Sequence, residues 1–296
     1  MSTVRWLITG ARGQLGVDLV RVLEQADGVE LLALGSAELD ITDRASIGDT
    51  VASFRPDVIV NAAAYTAVDA AETDEDRAYA VNATGPALLA AEAARTGARL
   101  LHLSTDYVFD GTATEPYRPD APTNPRQAYG RTKLAGEQAV RELAPEHGFV
   151  VRTSWVYGAG GQNFVKTMCR AEASRDTVSV VADQTGSPTW TADLARRLVD
   201  LGHADLPAGI YHCRGGGSTT WHGFTQAIFA ELGADPDRVL PTTTDQFPRP
   251  AFRPAYSVLS DREWSAAGLP AMLDWRAALT AAFEADRAAY LPSGGD

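Results

Sequence analysis

The first half of the chain alternates short apolar runs with longer segments of helical periodicity. Five of the apolar runs have the length and composition of strands: Val4–Ile8, Leu31–Leu34, Val58–Val60, Leu100–Leu103 and Val150–Arg152. Each run is almost continuously apolar, as expected of strands that helices cover on both faces. The alternation predicts βαβ units with right-handed crossovers, and therefore an α/β fold with a doubly wound parallel sheet of the Rossmann type.

This rhythm ends roughly halfway along the chain. Turn-rich and proline-containing stretches such as Gly158–Gly161 and Pro248–Pro254 take its place. We therefore expect a dinucleotide-binding domain over residues 1–157 and a smaller C-terminal α/β substrate domain over residues 158–296. A helix predicted near residues 190–202 could return to pack against the sheet of the first domain.

The charge balance disfavours nucleic acid as a partner. The chain carries a formal net charge of −12, whereas binding to a phosphate backbone needs a concentrated basic surface. Anionic small molecules remain candidates, because a pocket can hold a few arginines inside an acidic protein. Only Lys133 and Lys166 among the 26 basic residues are lysines, and the others are arginines. The planar guanidinium of arginine suits phosphate oxygens better, because it can form two parallel hydrogen bonds to them.

The cysteines and the apolar runs narrow the class of protein further. Cys169 and Cys213 are too few for a disulfide framework and show no metal-binding spacing, so we expect reduced core residues and no metal site. No apolar run approaches the length of about 18 residues that a membrane span needs. The apolar start over residues 4–10 ends in glycine before it could form the core of a signal peptide. We therefore expect a cytoplasmic protein without a membrane partner.

A glycine-rich loop directly follows the first predicted strand. It reads Gly10-Ala11-Arg12-Gly13-Gln14-Leu15-Gly16 and leads into an amphipathic helix. Gly10 permits a sharp turn, Gly13 lets the backbone approach a pyrophosphate, and Gly16 allows close packing of helix on strand. The helix N-terminus also favours negative charge. An ordinary strand-to-helix turn is the alternative, but the position after the first strand favours a dinucleotide site.

Two features bear on the choice of cofactor. The acid that usually binds the adenosine ribose at the end of the second strand is missing, since Leu34-Gly35-Ser36 stands there. Arg12 in the glycine loop could accept a 2′-phosphate instead. We therefore predict NADPH as cofactor, without strong exclusion of NADH. Asp40 could line the adenine side, or it could be an exposed loop acid.

A tyrosine and a lysine lie four residues apart where a long helix should follow the fourth strand. Tyr129 and Lys133 would share one helix face. Because the chain has nine tyrosines and two lysines, this spacing arises by chance with a probability of about 0.06. A cation about 4 Å from the phenol would contribute roughly 4 kcal/mol to the phenolate, which would bring the tyrosine pKa near 7. This is an upper estimate of the shift, because desolvation would oppose part of it. The pair predicts general acid–base catalysis, with a surface tyrosine packed over a lysine stem as the alternative.

A hydroxyl group follows the fourth strand at the carboxyl edge, where α/β sheets bind ligands. Ser104 and Thr105 are adjacent candidates for a hydrogen bond to a carbonyl that is being reduced. We choose Thr105, because one of the two must point into the sheet and the polar Asp106 indicates a chain turning toward the cleft. A serine or threonine turn that ends the strand is the alternative.

With these motifs the chain resembles the dTDP-4-dehydrorhamnose reductase family of the extended short-chain dehydrogenase/reductase superfamily. The resemblance covers nearly the whole chain and is carried by seven segments: Gly10–Gly16, Asn61–Asp69, Ser104–Phe109, Tyr129–Lys133, Arg152–Gly158, Asn163–Val165 and Asp183–Thr189. It implies reduction of a 4-keto-6-deoxy sugar on dTDP, the last step in making dTDP-L-rhamnose. Hydride would pass from the nicotinamide to C4, with Tyr129 as proton donor, Lys133 tuning it and holding the nicotinamide ribose, and Thr105 positioning the carbonyl.

The resemblance also implies which residues line the site. The cofactor would contact Gly10, Arg12, Gly13, Gln14, Leu15, Gly16, Asp40, Ile41, Ala62, Ala63, Ala64, Tyr129 and Lys133. The dTDP-sugar would contact Thr66, Val68, Thr105, Asp106, Tyr107, Tyr129, Trp155 and Asn163. We add Arg249 and Arg253 as candidate diphosphate clamps, with exposed arginines as the alternative, and Trp155 could equally be a core residue.

Two questions stay open at this stage. Some members of the family form dimers through magnesium-bound glutamates, but only Asp18 matches that cluster here, so we expect no metal and a monomer or weak homodimer. The reaction could instead act on another dTDP-4-keto-6-deoxysugar of secondary metabolism. A non-catalytic, nucleotide-binding regulatory subunit is a further alternative, which the presence of Thr105, Tyr129 and Lys133 disfavours.

Overall fold

The computed structural model describes residues 3–292. The strands in chain order are β1 (Val4–Thr9), β2 (Val29–Leu34), β3 (Val58–Asn61), β4 (Arg99–Thr105), β5 (Gly148–Thr153), β6 (Val156–Tyr157), β7 (Val178–Val181), β8 (Thr185–Gly186), β9 (Thr189–Trp190), β10 (Gly209–His212), β11 (Thr219–Thr220) and β12 (Val239–Thr242). The helices are α1 (Gln14–Glu24), α2 (Arg44–Phe54), α3 (Glu75–Tyr79), α4 (Gly85–Thr96), α5 (Ala128–Leu143), α6 (Phe164–Ser174), α7 (Thr191–His203), α8 (Trp221–Leu232), α9 (Arg262–Ala266) and α10 (Trp275–Tyr290).

The main sheet has six parallel strands in the order β2-β1-β3-β4-β5-β10. Because β2 and β3 lie on opposite sides of β1, the winding direction reverses between β1 and β3. A crevice forms at such a switch point, and ligands of α/β proteins bind there. The sheet confirms the predicted doubly wound Rossmann-type fold, and each of the predicted strands lies within an observed one.

Helices cover both faces of this sheet. Along β1, Trp6 and Ile8 face the layer formed by α1 and α7, whereas Leu7 faces the layer that contains α2, α4 and α5. Alternate side chains of a strand point to opposite faces, so both faces of β1 are buried. The apolar periodicity of the helices and the unbroken apolar strands thus have one cause, a sheet with a core on each side.

The second half of the chain is not confined to one unit. Helix α7 packs against α1, and β10 adds the last strand to the main sheet beside β5. A separate hydrophobic core joins α6, α8 and α10 to the short strands β7 and β12. This core belongs to the smaller C-terminal α/β part. The domain boundary after residue 157 stays a prediction, with 191–203 and 209–212 packed on the first part.

Candidate functional site

The glycine loop connects β1 to α1 at the switch point. Gly10 has a φ of +71°, which favours glycine. A side chain there would collide with the backbone of Ala63, since an added Cβ would lie 2.6 Å from its nitrogen. At Gly16 an added Cβ would lie 2.3 Å from the Gly10 carbonyl oxygen. Both glycines therefore permit close backbone packing between β1, α1 and the segment after β3.

The N-terminus of α1 is free to bind an anion. Gly13 occupies the N-cap position, no side chain caps the first turn, and this turn holds no acidic residue. The first N–H groups of a helix lack partners within the helix and carry partial positive charge. Phosphate binding at such an end needs no further charge.

A cavity of about 430 Å³ opens beside this loop. Its lining joins the glycine loop to the ends of β2 and β3: Gly10, Arg12, Gly13, Gly35, Ser36, Leu39, Asp40, Ile41, Ala62, Ala63, Ala64, Tyr65, Arg77 and Val81. Small side chains along one wall and an uncapped helix end along another fit a dinucleotide. We call this the dinucleotide cavity.

Charged residues at its rim already have partners. The Arg12 guanidinium forms an ion pair with Glu38, which also accepts a hydrogen bond from the Gly35 N–H at 3.0 Å. The Asp40 carboxylate accepts hydrogen bonds from the backbone and hydroxyl of Thr42, each at 2.8 Å, and these lower the pKa of Asp40. Arg12 is thus within reach of the cavity, but a ligand phosphate must compete with Glu38 for it.

Thr105 and Tyr129 lie together at the carboxyl end of β4. The Thr105 hydroxyl donates a hydrogen bond to Asp106 Oδ1 at 3.0 Å and is close enough to the Tyr129 hydroxyl to affect its pKa. The neighbouring Ser104 turns away, because its hydroxyl donates to Glu137 Oε1 at 2.5 Å in the buried ion pair of Glu137 with Arg152. Ser104 is therefore held by the interior, and Thr105 is the hydroxyl that faces the tyrosine.

The protonation states of the pair differ from the expectation. Burial, together with the charge of Asp106, raises the pKa of Tyr129 to about 12. Lys133 does not offset this, since its Nζ donates to the Leu103 carbonyl at 2.5 Å and burial lowers its own pKa to about 8. The expected tyrosine pKa near 7 is therefore wrong for this structure, because desolvation outweighs the cation. At neutral pH Tyr129 keeps its proton.

A second cavity, of about 670 Å³, has Tyr107, the neighbour of Asp106, in its lining. Arginines and aromatic or apolar side chains line it: Asp69, Tyr107, Phe164, Thr167, Met168, Arg170, Ala171, Ser174, Arg175, Val178, Ser179, Val180, Val181, Gln184, Trp221, Phe247, Arg249 and Arg253. Four arginines in one cavity of an acidic protein favour an anionic ligand. We call this the arginine cavity.

Tyr129 lies between a residue of the arginine cavity and a residue of the dinucleotide cavity. The edge of the Tyr107 ring, in the arginine cavity, faces the Tyr129 ring at a centroid distance of 5.9 Å and an angle of 78°. Tyr129 also shares a small apolar cluster with Tyr65, which lines the dinucleotide cavity. From this position, the Tyr129 hydroxyl could donate a proton to a ligand in the arginine cavity that reacts with a dinucleotide in the other cavity.

Comparisons with known proteins agree with this geometry. The family model described as the RmlD substrate binding domain matches residues 4–288. The dTDP-4-dehydrorhamnose reductase of Streptomyces griseus is 55% identical over 285 residues, which cover 95% of this chain and 93% of that protein. The chain belongs to the dTDP-4-dehydrorhamnose reductase family. The predicted family, and with it the reductase class, is confirmed.

Other members of the family resemble the chain almost as closely. A probable dTDP-4,6-dihydroxy-2-methyloxan-3-one 4-ketoreductase of Streptomyces antibioticus is 51% identical, with 95% of each chain covered. The crystal structure of dTDP-4-dehydrorhamnose reductase from Bacillus anthracis in complex with NADP has a TM-score of 0.91 and 40% identity, covering 96% of this chain and 99% of that one. The shared fold therefore extends through both cavities.

Within the family fold, some of the predicted cofactor residues do not line the dinucleotide cavity. Leu15 is buried in the core between α1 and the sheet, and Gly16 packs on the backbone of the loop. Gln14 begins α1 beside Gly13. Gly10, Arg12, Gly13, Asp40, Ile41 and Ala62 to Ala64 do line it.

The predicted sugar contacts occupy different positions. Thr66 is exposed and Val68 partly buried, and both lie on the segment that joins Tyr65 of one cavity to Asp69 of the other. Asn163 caps α6: its side chain accepts from the Lys166 N–H at 3.1 Å and donates to the Gly158 carbonyl at 2.8 Å. Asn163 thus has a structural task, with its oxygen and one amide hydrogen engaged.

Aromatic stacking forms one wall of the site. Trp155 has a left-handed backbone with a φ of +47°, which is unusual for a tryptophan and typical of constrained functional positions. Its ring stacks on the Trp221 ring with 3.5 Å between the ring centroids. The Phe164 ring also packs on Trp221, with 4.4 Å between the centroids. Of these three rings, Trp221 and Phe164 line the arginine cavity.

Several residues of the arginine cavity were not predicted from the sequence. They come from α6, the start of α8 and the loops around β7 and β12: Phe164, Met168, Arg170, Arg175, Gln184, Trp221 and Phe247. Two of them fall inside family motifs, Phe164 in Asn163–Val165 and Gln184 in Asp183–Thr189, and could have been found there. Trp221 gave no such signal.

Asp18 lies away from both cavities. Its carboxylate accepts a hydrogen bond from the Thr191 hydroxyl and lies 3.5 Å from Arg21. It therefore links α1 to α7. Over residues 3–292, no group of three or more His, Cys, Asp or Glu side chains is placed to hold a metal ion, and no helix there has the length and apolar character of a membrane span.

Proposed function

We propose that the chain reduces the C4 ketone of dTDP-4-dehydro-L-rhamnose to dTDP-L-rhamnose with NADPH. The observation that carries the proposal is the position of Tyr129, beside Thr105, between Tyr65 of the dinucleotide cavity and Tyr107 of the arginine cavity. A reductase of this kind must bring a nicotinamide and a ketone together beside a proton donor. The family relationship supplies the substrate, a sugar carried on dTDP.

The catalytic residues have complementary tasks in this proposal. When bound, the reduced nicotinamide supplies the hydride for the ketone carbon. Tyr129 holds a proton at neutral pH, because burial raises its pKa to about 12, and donates it to the ketone oxygen. Thr105 positions that oxygen by a hydrogen bond. Lys133 contributes a buried positive charge on the same helix and holds the nicotinamide ribose.

The charged part of the substrate would lie in the arginine cavity. Arg253 is only 18% exposed and is held by Asp69, whereas Arg249 packs over the Phe247 ring at 4.6 Å. Both guanidiniums line the cavity. They would bind the diphosphate oxygens by charge-assisted hydrogen bonds, and the wall of Trp155 and Trp221 would support the sugar or base by flat apolar contact.

NADPH should be preferred over NADH because Arg12 can bind a 2′-phosphate at the rim of the dinucleotide cavity. The preference should be moderate, since Glu38 already pairs with Arg12. Comparing kcat/KM for the two cofactors tests this, and a large preference for NADH would contradict it. Arg12→Ala should lower kcat/KM with NADPH and leave the value with NADH nearly unchanged.

The substrate assignment is tested by turnover. NADPH consumption is followed with dTDP-4-dehydro-L-rhamnose, made in situ by the upstream enzymes, and the product is identified by NMR. The proposal expects dTDP-L-rhamnose. A specific alternative comes from the 51% identity to a probable 4-ketoreductase of another dTDP-sugar. Turnover of such a sugar without turnover of the rhamnose precursor would reject the substrate and keep the reductase.

A further inference from the structure

The Thr105 hydroxyl has more neighbours than it has hydrogen atoms. Its oxygen accepts the Tyr107 N–H at 3.2 Å and lies 3.0 Å from Asp106 Oδ1, and the reacting ketone would be a third neighbour. A hydroxyl group has one proton to donate and two lone pairs to accept with. The proton can therefore point to Asp106 or toward the reacting ketone, but not to both.

The charge of Asp106 decides between these directions. A carboxylate only accepts hydrogen bonds, so an ionised Asp106 takes the single Thr105 proton and leaves none for the ketone oxygen. A neutral carboxylic acid can instead donate to Thr105. The two lone pairs of the threonine oxygen are then filled by Asp106 and the Tyr107 N–H, and its proton is released toward the ketone.

We propose that Asp106 acts in its protonated form as a positioning residue, which turns the Thr105 proton toward the ketone oxygen. This inference rests on the proposed ketoreduction and deepens it. No proton leaves Asp106 in the reaction: the proton that the ketone oxygen gains still comes from Tyr129, and Asp106 fixes only the direction of a hydrogen bond.

The surroundings of Asp106 favour the neutral form. Its side chain is 3% exposed, and within the described chain no lysine, arginine or histidine forms an ion pair with it. The groups that face it are Tyr129 from α5, Tyr107 from the following turn and Ser257 from the C-terminal part, all uncharged at neutral pH. The nearby charges of Arg253 and Asp69 pair with each other.

Burial has a larger effect on the pKa of Asp106 than the hydrogen bonds to its side chain. It raises the pKa of Asp106 to about 6, although the hydroxyls of Ser257 and Thr105 favour the ionised form. A sugar that fills the cavity excludes more water and moves the pKa further in the same direction. At pH 6 about half of the Asp106 side chains are therefore neutral.

The rival explanation is that ionised Asp106 accepts a hydrogen bond from a sugar hydroxyl. That role would act on substrate binding, so its loss would raise KM. The proposed role acts on the reaction step, so its loss would change kcat and its pH dependence. The two explanations therefore differ in the kinetic parameter that they move.

The experiment measures kcat and KM from about pH 5 to pH 9 for the wild type, Asp106→Asn and Asp106→Ala. The wild-type kcat should fall by roughly tenfold for each pH unit above the pKa of Asp106 in the complex. Neither variant has a carboxylate that can capture the Thr105 proton, so this fall should be absent in both. Asp106→Ala should have the lower kcat, because Thr105 loses a partner that holds it.

Two controls complete the design. Asp120→Asn replaces a surface carboxylate that is 73% exposed and should keep the wild-type pH profile. Thr105→Val should lower kcat by about 100-fold or more at every pH, the usual loss when a donor to the reacting oxygen is removed. NADPH binding, measured by fluorescence, identifies the variants that are folded.

Three results would overturn the inference: a wild-type kcat that is independent of pH in this range, the same pH profile in wild type and Asp106→Asn, or an effect of Asp106→Asn on KM alone. Absence of turnover in the wild type would instead reject the proposed function. If Asp106→Asn does not fold, Asp106→Ala provides the same comparison.

Discussion

Burial is the largest influence on the protonation states of Tyr129 and Asp106. Tyr129 keeps its proton because desolvation raises its pKa to about 12, and the same cause raises the pKa of Asp106 to about 6. Reduction of a ketone consumes a proton, so a protonated phenol is the form that the reaction needs. Tyr129 is therefore in the protonation state that a proton donor for ketone reduction needs.

Replacing Tyr129 by Phe should lower kcat by about 100-fold or more, as expected when a positioned proton donor is removed. Binding of NADPH should change little, because the ring and its contact with Tyr107 remain. Tyr79→Phe is the matched control, since Tyr79 is 51% exposed on α3 and should retain wild-type kinetics. Wild-type kcat in Tyr129→Phe would remove this residue from the mechanism.

Asp106→Asn should change the pH dependence of stability. The folded pKa of Asp106 is raised from 3.8 to about 6, so the wild type loses stability as pH rises through this window and keeps the full penalty above it. The penalty is about 3 kcal/mol. Urea unfolding should find the variant more stable than wild type at neutral pH and close to it below about pH 4. Equal stability at neutral pH would show that the carboxylate is not destabilised by burial.

Among the elements, the loop between β1 and α1 shows how strongly one packing contact limits the choice of residue. At Gly16 an added Cβ would lie 2.3 Å from the Gly10 carbonyl oxygen, whereas at Gly48 in α2 it would meet nothing within 4 Å. Both glycines are helical. The glycine spacing after the first strand predicted close packing at Gly16, and nothing in the sequence predicted it at Gly48.

Gly16→Ala should therefore destabilise the fold by about 1–3 kcal/mol, as overpacking does, and weaken NADPH binding by displacing the loop. Gly48→Ala should stabilise it by about 0.5–1 kcal/mol, since alanine is the better helix former. Thermal unfolding and NADPH titration of the two variants check this. A destabilised Gly48→Ala, or a neutral Gly16→Ala, would contradict the packing described for α1.

At the scale of the whole molecule, the ion pair of Asp69 with Arg253 joins the segment after β3 to the segment after β12. Arg253, from the irregular segment after β12, donates to Asp69 Oδ1 at 2.9 Å, and the Ala251 N–H donates to the same oxygen at 3.2 Å. Asp69 follows β3 in the Asn61–Asp69 motif. The Asp69 carboxylate therefore holds the Arg253 side chain in place in the lining of the arginine cavity.

Arg253→Met should raise KM for the dTDP-sugar by about 10- to 100-fold, the loss expected when a charge-assisted hydrogen bond to a phosphate is removed. The effect on kcat should be smaller, because the proton donor is untouched. Arg95→Met is a suitable control, since Arg95 is 56% exposed on α4 and pairs with Glu92. An unchanged KM in Arg253→Met would exclude this arginine from diphosphate binding.

Local patterns predicted the parts of the molecule that depend on the nearby chain. The five strands of the first half, the glycine loop and the Tyr129/Lys133 pair all follow from periodicity or short spacing. The short strand β10 did not, because it has only two apolar residues, between Gly209 and His212, and its place beside β5 is set by tertiary packing.

Local patterns could not predict contacts between residues that are distant in the sequence. The spacing of Tyr129 and Lys133 placed them on one helix face, but it could not show that the lysine bonds to the Leu103 carbonyl or how strongly burial acts on the phenol. The arginine cavity likewise joins α6, α8 and the segment after β12. Trp221 lines this cavity because tertiary packing brings the start of α8 next to α6.

In the proposed reaction, hydride passes from NADPH to C4 of a dTDP-linked ketosugar while Tyr129 protonates the oxygen. The most direct test uses NADPH deuterated at the transferable position, with dTDP-4-dehydro-L-rhamnose as substrate and NMR of the purified product. The result that we predict is dTDP-L-rhamnose with deuterium at C4 and none elsewhere in the sugar. A product without deuterium, or a sugar altered with no net oxidation of NADPH, would contradict the claim.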